Sequence, residues 1–351
     1  MSRRRLLAGI AAATALALTG CSTGPTSGGG QTRAADTDTK ADTKAGTAAA
    51  ESFPVTIRHA FGETTIEREP KRVATLGWSD QDNALALGVA PVGATKLTWG
   101  GNKAGSSDWF DATLKSAGTK APVRYDDSDG PPAEEIATLR PDVILATNSG
   151  LTRAQYDKLS KIAPVVAYPK AAWTTPWRTS LKLVGKALGR SEAADKVTAA
   201  TERRIQDARA KYPQLKGTSL IFAYLTTTDL SQVGIYAPQD PRVSFMHDLG
   251  LVDAPAVATA IKPGQFYGTV SAERAPQLKS DVLLTWSENP SDLKTFIDDK
   301  LIGKIPAIAD GRAYAEADKH VSLAVTNPTP LSIPYVIEHF VPHVAKAADR
   351  S

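Results

Sequence analysis

The sequence has 351 residues, room for two domains that each bury a core. Hydrophobic residues make up 42% and charged residues 22%, a globular balance that excludes a wholly disordered chain. The formal charge is +4, but Arg3, Arg4 and Arg5 supply most of it, so the near-neutral body gives no electrostatic reason to expect a nucleic-acid partner.

The single cysteine, Cys21, excludes an internal disulfide and a cysteine metal cluster. It follows a basic start and a short apolar stretch, Leu6 to Leu18, about right for a signal peptide and too short for a comfortable membrane span. Leu18-Thr19-Gly20-Cys21 resembles a bacterial lipobox, in which the thiol takes a lipid and becomes the new N-terminus. Ser2-Arg3-Arg4-Arg5-Leu6-Leu7 also resembles a twin-arginine signal, and the export route stays open. Residues 22–50 hold Gly, Ser, Thr, Ala and Asp with no aromatic residue, and read as a flexible tether. At roughly 5–6 Å × √n such a tether reaches on the order of 30 Å.

From Phe53 onward, β-rich runs alternate with helical patterns. Expected strands are 72–76, 91–94, 143–146 and 165–168, then 220–225, 232–236, 282–286 and 312–316. Expected helices fall near 80–87, 133–139, 153–162, 242–249 and 273–278. Glu134-x4-Leu139-x2-Asp142-Val143-Ile144-Leu145 recurs as Glu273-x4-Leu278-x2-Asp281-Val282-Leu283-Leu284, which points to two lobes of one architecture. Residues 191–212 lack Gly and Pro, carry apolar residues at helical spacing and end at Pro213, so they read as a long helix. The fold class is therefore α/β, with two lobes of mainly parallel sheet flanked by helices. The organisation expected is a signal peptide (1–20), a lipidated cysteine and tether (21–52), an N-terminal lobe (53–190), a connecting helix (191–213) and a C-terminal lobe (214–351). A single stiff helix between lobes limits hinge closure.

Ligands of open α/β sheets sit beyond the carboxyl ends of strands. The aromatic residues just past the expected strands are Trp78, Trp99, Tyr168, Trp173, Tyr236, Tyr267 and Trp286, and the arginines in or near such loops are Arg124, Arg153 and Arg242. Tyr125, beside Arg124, joins the candidates. Any one of these aromatics can instead serve lobe packing, and any one arginine a surface ion pair.

The order and spacing of several segments give this chain a family. Glu69-Pro70-Lys71-Arg72-Val73, 84–93, 134–144 and 161–166 lie in the first lobe; Asp248-Leu249-Gly250-Leu251, Val270-Ser271-x-Glu273 and Ala307-x3-Asp310-Gly311-Arg312 lie in the second. Together they resemble the solute-binding lipoproteins of bacterial iron–siderophore ABC importers, sometimes called class III periplasmic-binding-type proteins. The resemblance implies a monomer held on the outer face of the cell membrane. It would capture a ferric siderophore, hydroxamate type first, and deliver it to an ABC permease with its ATPase. It also implies that one glutamate on each lobe docks permease arginines, here Glu134 and Glu273. No enzyme activity and no cofactor are expected, and iron is held only through the siderophore. Haem, cobalamin or ferric citrate on the same fold, or a surface enzyme or sensor domain, are the alternatives.

Three features narrow the reading. Hydroxamate-binding relatives commonly carry an arginine three residues before the Pro-x-x-Glu turn, where this chain has Ser128 in an acidic run; Arg124 is the nearest replacement. The histidines His59, His247, His320, His339 and His343 are scattered, and only His339 and His343 share a helical face, so a zinc site is not expected. No G-x-S-x-G elbow, phosphate loop or dinucleotide fingerprint occurs.

Overall fold

The structure is a computed structural model that describes residues 52–262 and 265–349. The lipobox with Cys21 and the tether lie outside the described residues. After a hairpin of β1 (Val55–His59) and β2 (Gly62–Ile66), the first lobe is a sheet of β3 (Val73–Thr75), β4 (Gly93–Thr95), β5 (Val123–Tyr125), β6 (Val143–Ala146) and β7 (Val165–Ala167). These five pair in the order β5-β4-β3-β6-β7, all parallel. β3, β4, β6 and β7 are buried at every position, as a sheet covered on both faces requires.

The second lobe differs. β8 (Ser219–Thr226), β12 (Val282–Trp286) and β13 (Ala313–Glu316) run parallel, and the short β10 (Val252–Asp253) pairs parallel with β8. β9 (Asp229–Tyr236) and β11 (Tyr267–Ser271) are antiparallel to their neighbours. The sheet is mainly parallel, as the sequence suggested, with an antiparallel edge where β8 turns straight back into β9 across residues 226–229.

The helices of the first lobe are α1 (Asp80–Ala86), α2 (Asp108–Ser116), α3 (Ala133–Thr138), α4 (Arg153–Leu159) and α5 (Trp177–Ala187). α6 (Ser191–Lys211) follows as one unbroken helix, with Ala194, Thr201, Ile205 and Ala208 buried. α7 (Pro241–Asp248) opens on an Asp240 cap with proline in its first turn. The expected helix at Glu273 is a 3-10 helix, Ala272–Gln277, because Pro276 has no N–H to donate to an α-helical ladder.

The internal echo has a structural meaning. The Asp142 carboxylate accepts from the backbone N–H of Lys71 and Arg72 (2.9 and 2.8 Å), and Asp281 accepts from the N–H and hydroxyl of Ser219 (2.9 and 2.8 Å). Each aspartate therefore clamps the entry of the strand beside its own, β3 in one lobe and β8 in the other.

One apolar core runs through both lobes. It joins Val73 and Val143 of the first sheet, Ile205 of α6, Phe222 and Leu284 of the second sheet, and Phe340 and Val344 of the C-terminal helices. Separate clusters close the outer face of each lobe.

α1 is unusual in burying its polar residues. Successive helix positions turn by about 100°, so four in a row face four directions. Asp80 accepts from the Thr147 hydroxyl beyond β6, and Gln81 accepts from Arg124 on β5. Asp82 accepts from Trp109 Nε1 and from the Thr329 hydroxyl (both 2.8 Å), and Asn83 donates to Ser180 on α5 (2.8 Å). Burial pushes the carboxyls of Asp80 and Asp82 up, each to about 7, against those hydrogen bonds.

A cleft between the lobes as the candidate functional site

The carboxyl ends of β3 and β6 come together at one mouth. Gly77, at φ +71, lets the chain leave β3 hard against β6: a Cβ there would sit 2.4 Å from the Asn148 carbonyl oxygen. This turn sets Trp78 beside Asn148 on the floor of a cavity of about 260 Å³. Trp173 forms its rim, held at φ +61 with its indole lying over Gly150, where a Cβ would come within 2.6 Å of Nε1. Such a backbone for a bulky residue persists only where the surroundings enforce it.

The second lobe supplies the opposite wall. Asp240 and Arg242 open α7, Phe266 precedes β11, and Asn327 comes from the segment that follows the helix Lys319–Thr326. Arg242 has only 14% of its side chain exposed; its Nε donates to Asp240 Oδ1 at 2.7 Å, and its guanidinium carbon lies 3.7 Å from the Tyr236 ring centre. Burial pushes the Asp240 carboxyl up against the pull of Arg242. Burial likewise opposes the arginine charge and is the largest single influence, but Asp240 and Tyr236 together outweigh it. The pair is an internally neutralised ion pair facing the cleft.

From Tyr236 a run of rings follows the second lobe. Tyr236 meets Tyr267 at 5.6 Å, Tyr267 meets Tyr224 at 6.3 Å, and Tyr224 meets Trp286 at 5.4 Å. Trp286 then meets Trp99 of the first lobe edge-on at 5.6 Å. These centroid distances and tilted geometries are those of favourable aromatic pairs.

The structure thus groups Trp78, Trp173 and Arg242 in one cavity, and strings Tyr236, Tyr267, Trp286 and Trp99 along one aromatic run. It leads four candidates elsewhere. Tyr125 is 1% exposed and donates its hydroxyl to the Thr75 carbonyl, which makes it a core residue. Arg124 turns inward, bonded to Gln81, to the Thr95 carbonyl (3.0 Å) and to Ser106 Oγ (2.6 Å), over the Phe110 ring. Arg153 lies on α4, donating to the Phe61 carbonyl of the β1–β2 turn (3.0 Å) and pairing with Asp157. Tyr168 is likewise buried, with its hydroxyl on the Leu151 carbonyl. His339 lies against Tyr335, and His343 stacks on Tyr314.

Sequence reasoning passed over Tyr224, Asp240, Phe266 and Asn327. Tyr224 is hidden inside a strand that reads as a buried run. Asp240-Pro241 is a legible helix start, but a cap does not announce an ion-pair partner.

Glu134 opens α3 and Glu273 opens the 3-10 helix after β11; both are exposed. α3 follows β5, and β11 runs parallel to β8 because two antiparallel steps separate them. Both glutamates therefore lie on the carboxyl-end side of the parallel strands; in the second lobe Phe266, Asp240 and Arg242 lie at the opposite end of β11 from Glu273.

Comparison with known proteins agrees with this architecture. The family model described as periplasmic binding protein matches residues 73–318. The structure of PiaA from Streptococcus pneumoniae TIGR4 in complex with ferrichrome is 38% identical, with a TM-score of 0.79, over 84% of this chain and 98% of that one. A periplasmic solute binding protein from Mycobacterium smegmatis is 29% identical, with a TM-score of 0.70, over 84% and 99%. Among curated relatives, the probable siderophore-binding lipoprotein YfiY of Bacillus subtilis is 26% identical over 275 residues, 75% of this chain and 80% of its own. With its two α/β lobes, its inter-lobe cleft and the order of its motifs, the chain belongs to the periplasmic binding protein family, among the solute-binding proteins of iron–siderophore ABC importers.

Proposed function

We propose that the protein captures a ferric trihydroxamate siderophore in the inter-lobe cleft and hands it to an ABC permease. The observation that carries the reading is the charge of the cleft: Arg242, the one cation among the cavity's lining residues, is already neutralised by Asp240, and the other walls are largely aromatic or amide. A ferric trihydroxamate is neutral at its centre, since three singly charged hydroxamates surround a trivalent iron. A ferric tris-catecholate carries three negative charges and ferric citrate complexes are anionic as well, and both call for cations to spare. Arg242 remains able to donate to chelate oxygens through the N–H groups that Asp240 does not occupy. The aromatic run from Tyr236 to Trp99 offers faces for the carbon-rich arms. Ferrichrome in the pneumococcal relative supports the same class.

The remaining parts follow from the sequence. Cys21 carries the lipid that holds a monomer on the outer face of the membrane, and the tether lets it reach the permease. Glu134 and Glu273 present one carboxylate from each lobe to permease arginines. Closure is small, because α6 is continuous and the apolar core crosses between the lobes. The role is binding and delivery, not catalysis.

The test is quenching of tryptophan fluorescence by ferric trihydroxamate, ferric tris-catecholate, ferric citrate, haem and cobalamin. Saturable quenching at sub-micromolar trihydroxamate, with the anionic chelates far weaker, is the expected result. Preference for any other ligand overturns the substrate class. In cells, Glu134→Ala with Glu273→Ala should cut iron uptake at least tenfold with ligand affinity unchanged. Intact uptake removes the docking assignment.

A further inference from the structure

Trp173 is a partition with cavities on both sides. Behind it, on the first lobe, lies a second cavity of about 220 Å³ whose polar side chains are Asp127, Ser128, Ser149 and Gln155. No lysine or arginine is among its lining residues.

The hydrogen-bond directions in this cavity are one-sided. Ser149 Oγ donates to the Ala146 carbonyl (3.0 Å), and Ser128 Oγ donates to Asp126 Oδ1 (2.6 Å), so each hydroxyl has spent its proton and offers only lone pairs. Asp127 accepts from Thr95 Oγ1 through Oδ2 (3.0 Å) and retains further acceptor sites. Two side-chain donors remain: the Gln155 amide nitrogen lies against Gly130 while its oxygen caps α4 by accepting from Thr152 N–H, and Trp173 Nε1 lies against Gly150. The nearest arginine in sequence, Arg124, is committed to Gln81, Ser106 and Thr95. A half-buried carboxylate flanked by hydroxyls that only accept is a receptor for a multi-donor cation. Trp173, 40% exposed, adds an indole face on which a cation can rest.

We propose that this side cavity is a subsite for a protonated amine on an arm of the ferric chelate, with Asp127 as the acceptor and Trp173 as the partition the arm passes. The inference rests on the ferric trihydroxamate reading above and sharpens it. The main cleft takes the neutral iron centre, and the side cavity prefers the chelate whose arm ends in an ammonium group.

Two probes with the same iron centre test it: a linear ferric trihydroxamate with a free terminal amine, and the same molecule N-acetylated at that amine. Fluorescence titration of the full chain in mild detergent should show the amine form binding about tenfold more tightly, the worth of one charged hydrogen bond in a half-buried site. Asp127→Asn should bring the two affinities within about twofold while leaving the acetylated form unchanged. Equal affinity of the native protein for the two probes overturns the subsite whatever the variant does. So does a preference that survives Asp127→Asn in protein with native circular dichroism. If neither iron complex binds, the trihydroxamate reading falls and the subsite falls with it; if both bind alike, only the subsite falls.

Discussion

The two lobes repeat one unit and use it differently, and their arginines show how. In the first lobe Arg124, on β5, is turned into the protein, where an amide, a hydroxyl and a carbonyl take its donors. In the second, Arg242, in the first turn of α7, is held at the cleft wall by Asp240 and covered by Tyr236. Both are arginines near strand ends, and sequence position does not separate them. What separates them is the neighbour that bonds each guanidinium: an amide, a hydroxyl and a carbonyl, with the charges of Asp111 and Asp82 nearby, hold Arg124 inward, whereas a capping carboxylate bonded directly fixes Arg242 at the surface of the cleft. The carboxylates divide the same way: Asp240 is bonded directly to its arginine, whereas Asp80 has hydroxyl and backbone donors and Asp82 has a hydroxyl and an indole N–H, with the Arg124 charge acting on Asp82 without a direct bond.

That contrast gives the largest expected effect. The carboxyls of Asp80 and Asp82 are pushed up to about 7 by burial, so the folded protein binds protons there that the unfolded chain releases near pH 4. Their stabilisation is complete below the unfolded value and is lost as pH rises toward 7. Between pH 5 and 8 they should lower stability by an amount on the order of several kcal/mol. His59, whose pKa burial and Arg153 lower, tilts the other way in the same window, so the reading is a difference. Chemical denaturation of the native protein and of Asp80→Asn with Asp82→Asn should diverge as pH rises, the variant keeping more of its low-pH stability. Parallel pH profiles would show that the first lobe's buried carboxyls are ionised like any others.

The next effect belongs to the second lobe. Arg242→Ala leaves Asp240 buried without its partner, a loss of about 3–5 kcal/mol when a buried pair is broken from one side. It should also weaken ferric trihydroxamate binding. Arg242→Met with Asp240→Asn removes both charges and should recover most of the stability without recovering affinity. Recovery of affinity in that double variant would mean that Arg242 only holds the wall in shape.

These distinctions were only partly present in the sequence. Strands 143–146 and 282–286, the helix of residues 191–211 and the paired glutamates are visible because a buried strand, an uninterrupted helical pattern and a fixed spacing are local signals. The clamp made by Asp142 and Asp281 is the physical reason their echo exists. Tyr125 was misjudged because β5 is three residues long, too short for alternation to say which face is inward. The direction of Arg124 depends on Gln81 and Ser106, each far away in the chain, and no local pattern carries it. β11 has no counterpart among the expected strands, and the antiparallel pairing of β9 is not legible because pairing is a property of two segments at once. The run Asp80-Gln81-Asp82-Asn83 looks like a solvated helix start, and only tertiary contacts make it a buried hub.

The smallest effect is the one that tests the contrast most directly. Arg124→Met removes the donors that satisfy Gln81, the Thr95 carbonyl and Ser106, and leaves the flexible stem to cover Phe110. Unpaired buried acceptors cost about 1–3 kcal/mol, so the melting temperature should fall by several degrees. The Arg124 side chain does not line the main cavity, so affinity for a ferric trihydroxamate should change by less than about threefold, as measured by fluorescence titration below the melting transition. A large loss of affinity with little loss of stability would reverse the assignment. It would mean that the guanidinium leaves Gln81 when ligand enters, that the first lobe reorganises on binding, and that the two arginines act as one pair across the cleft.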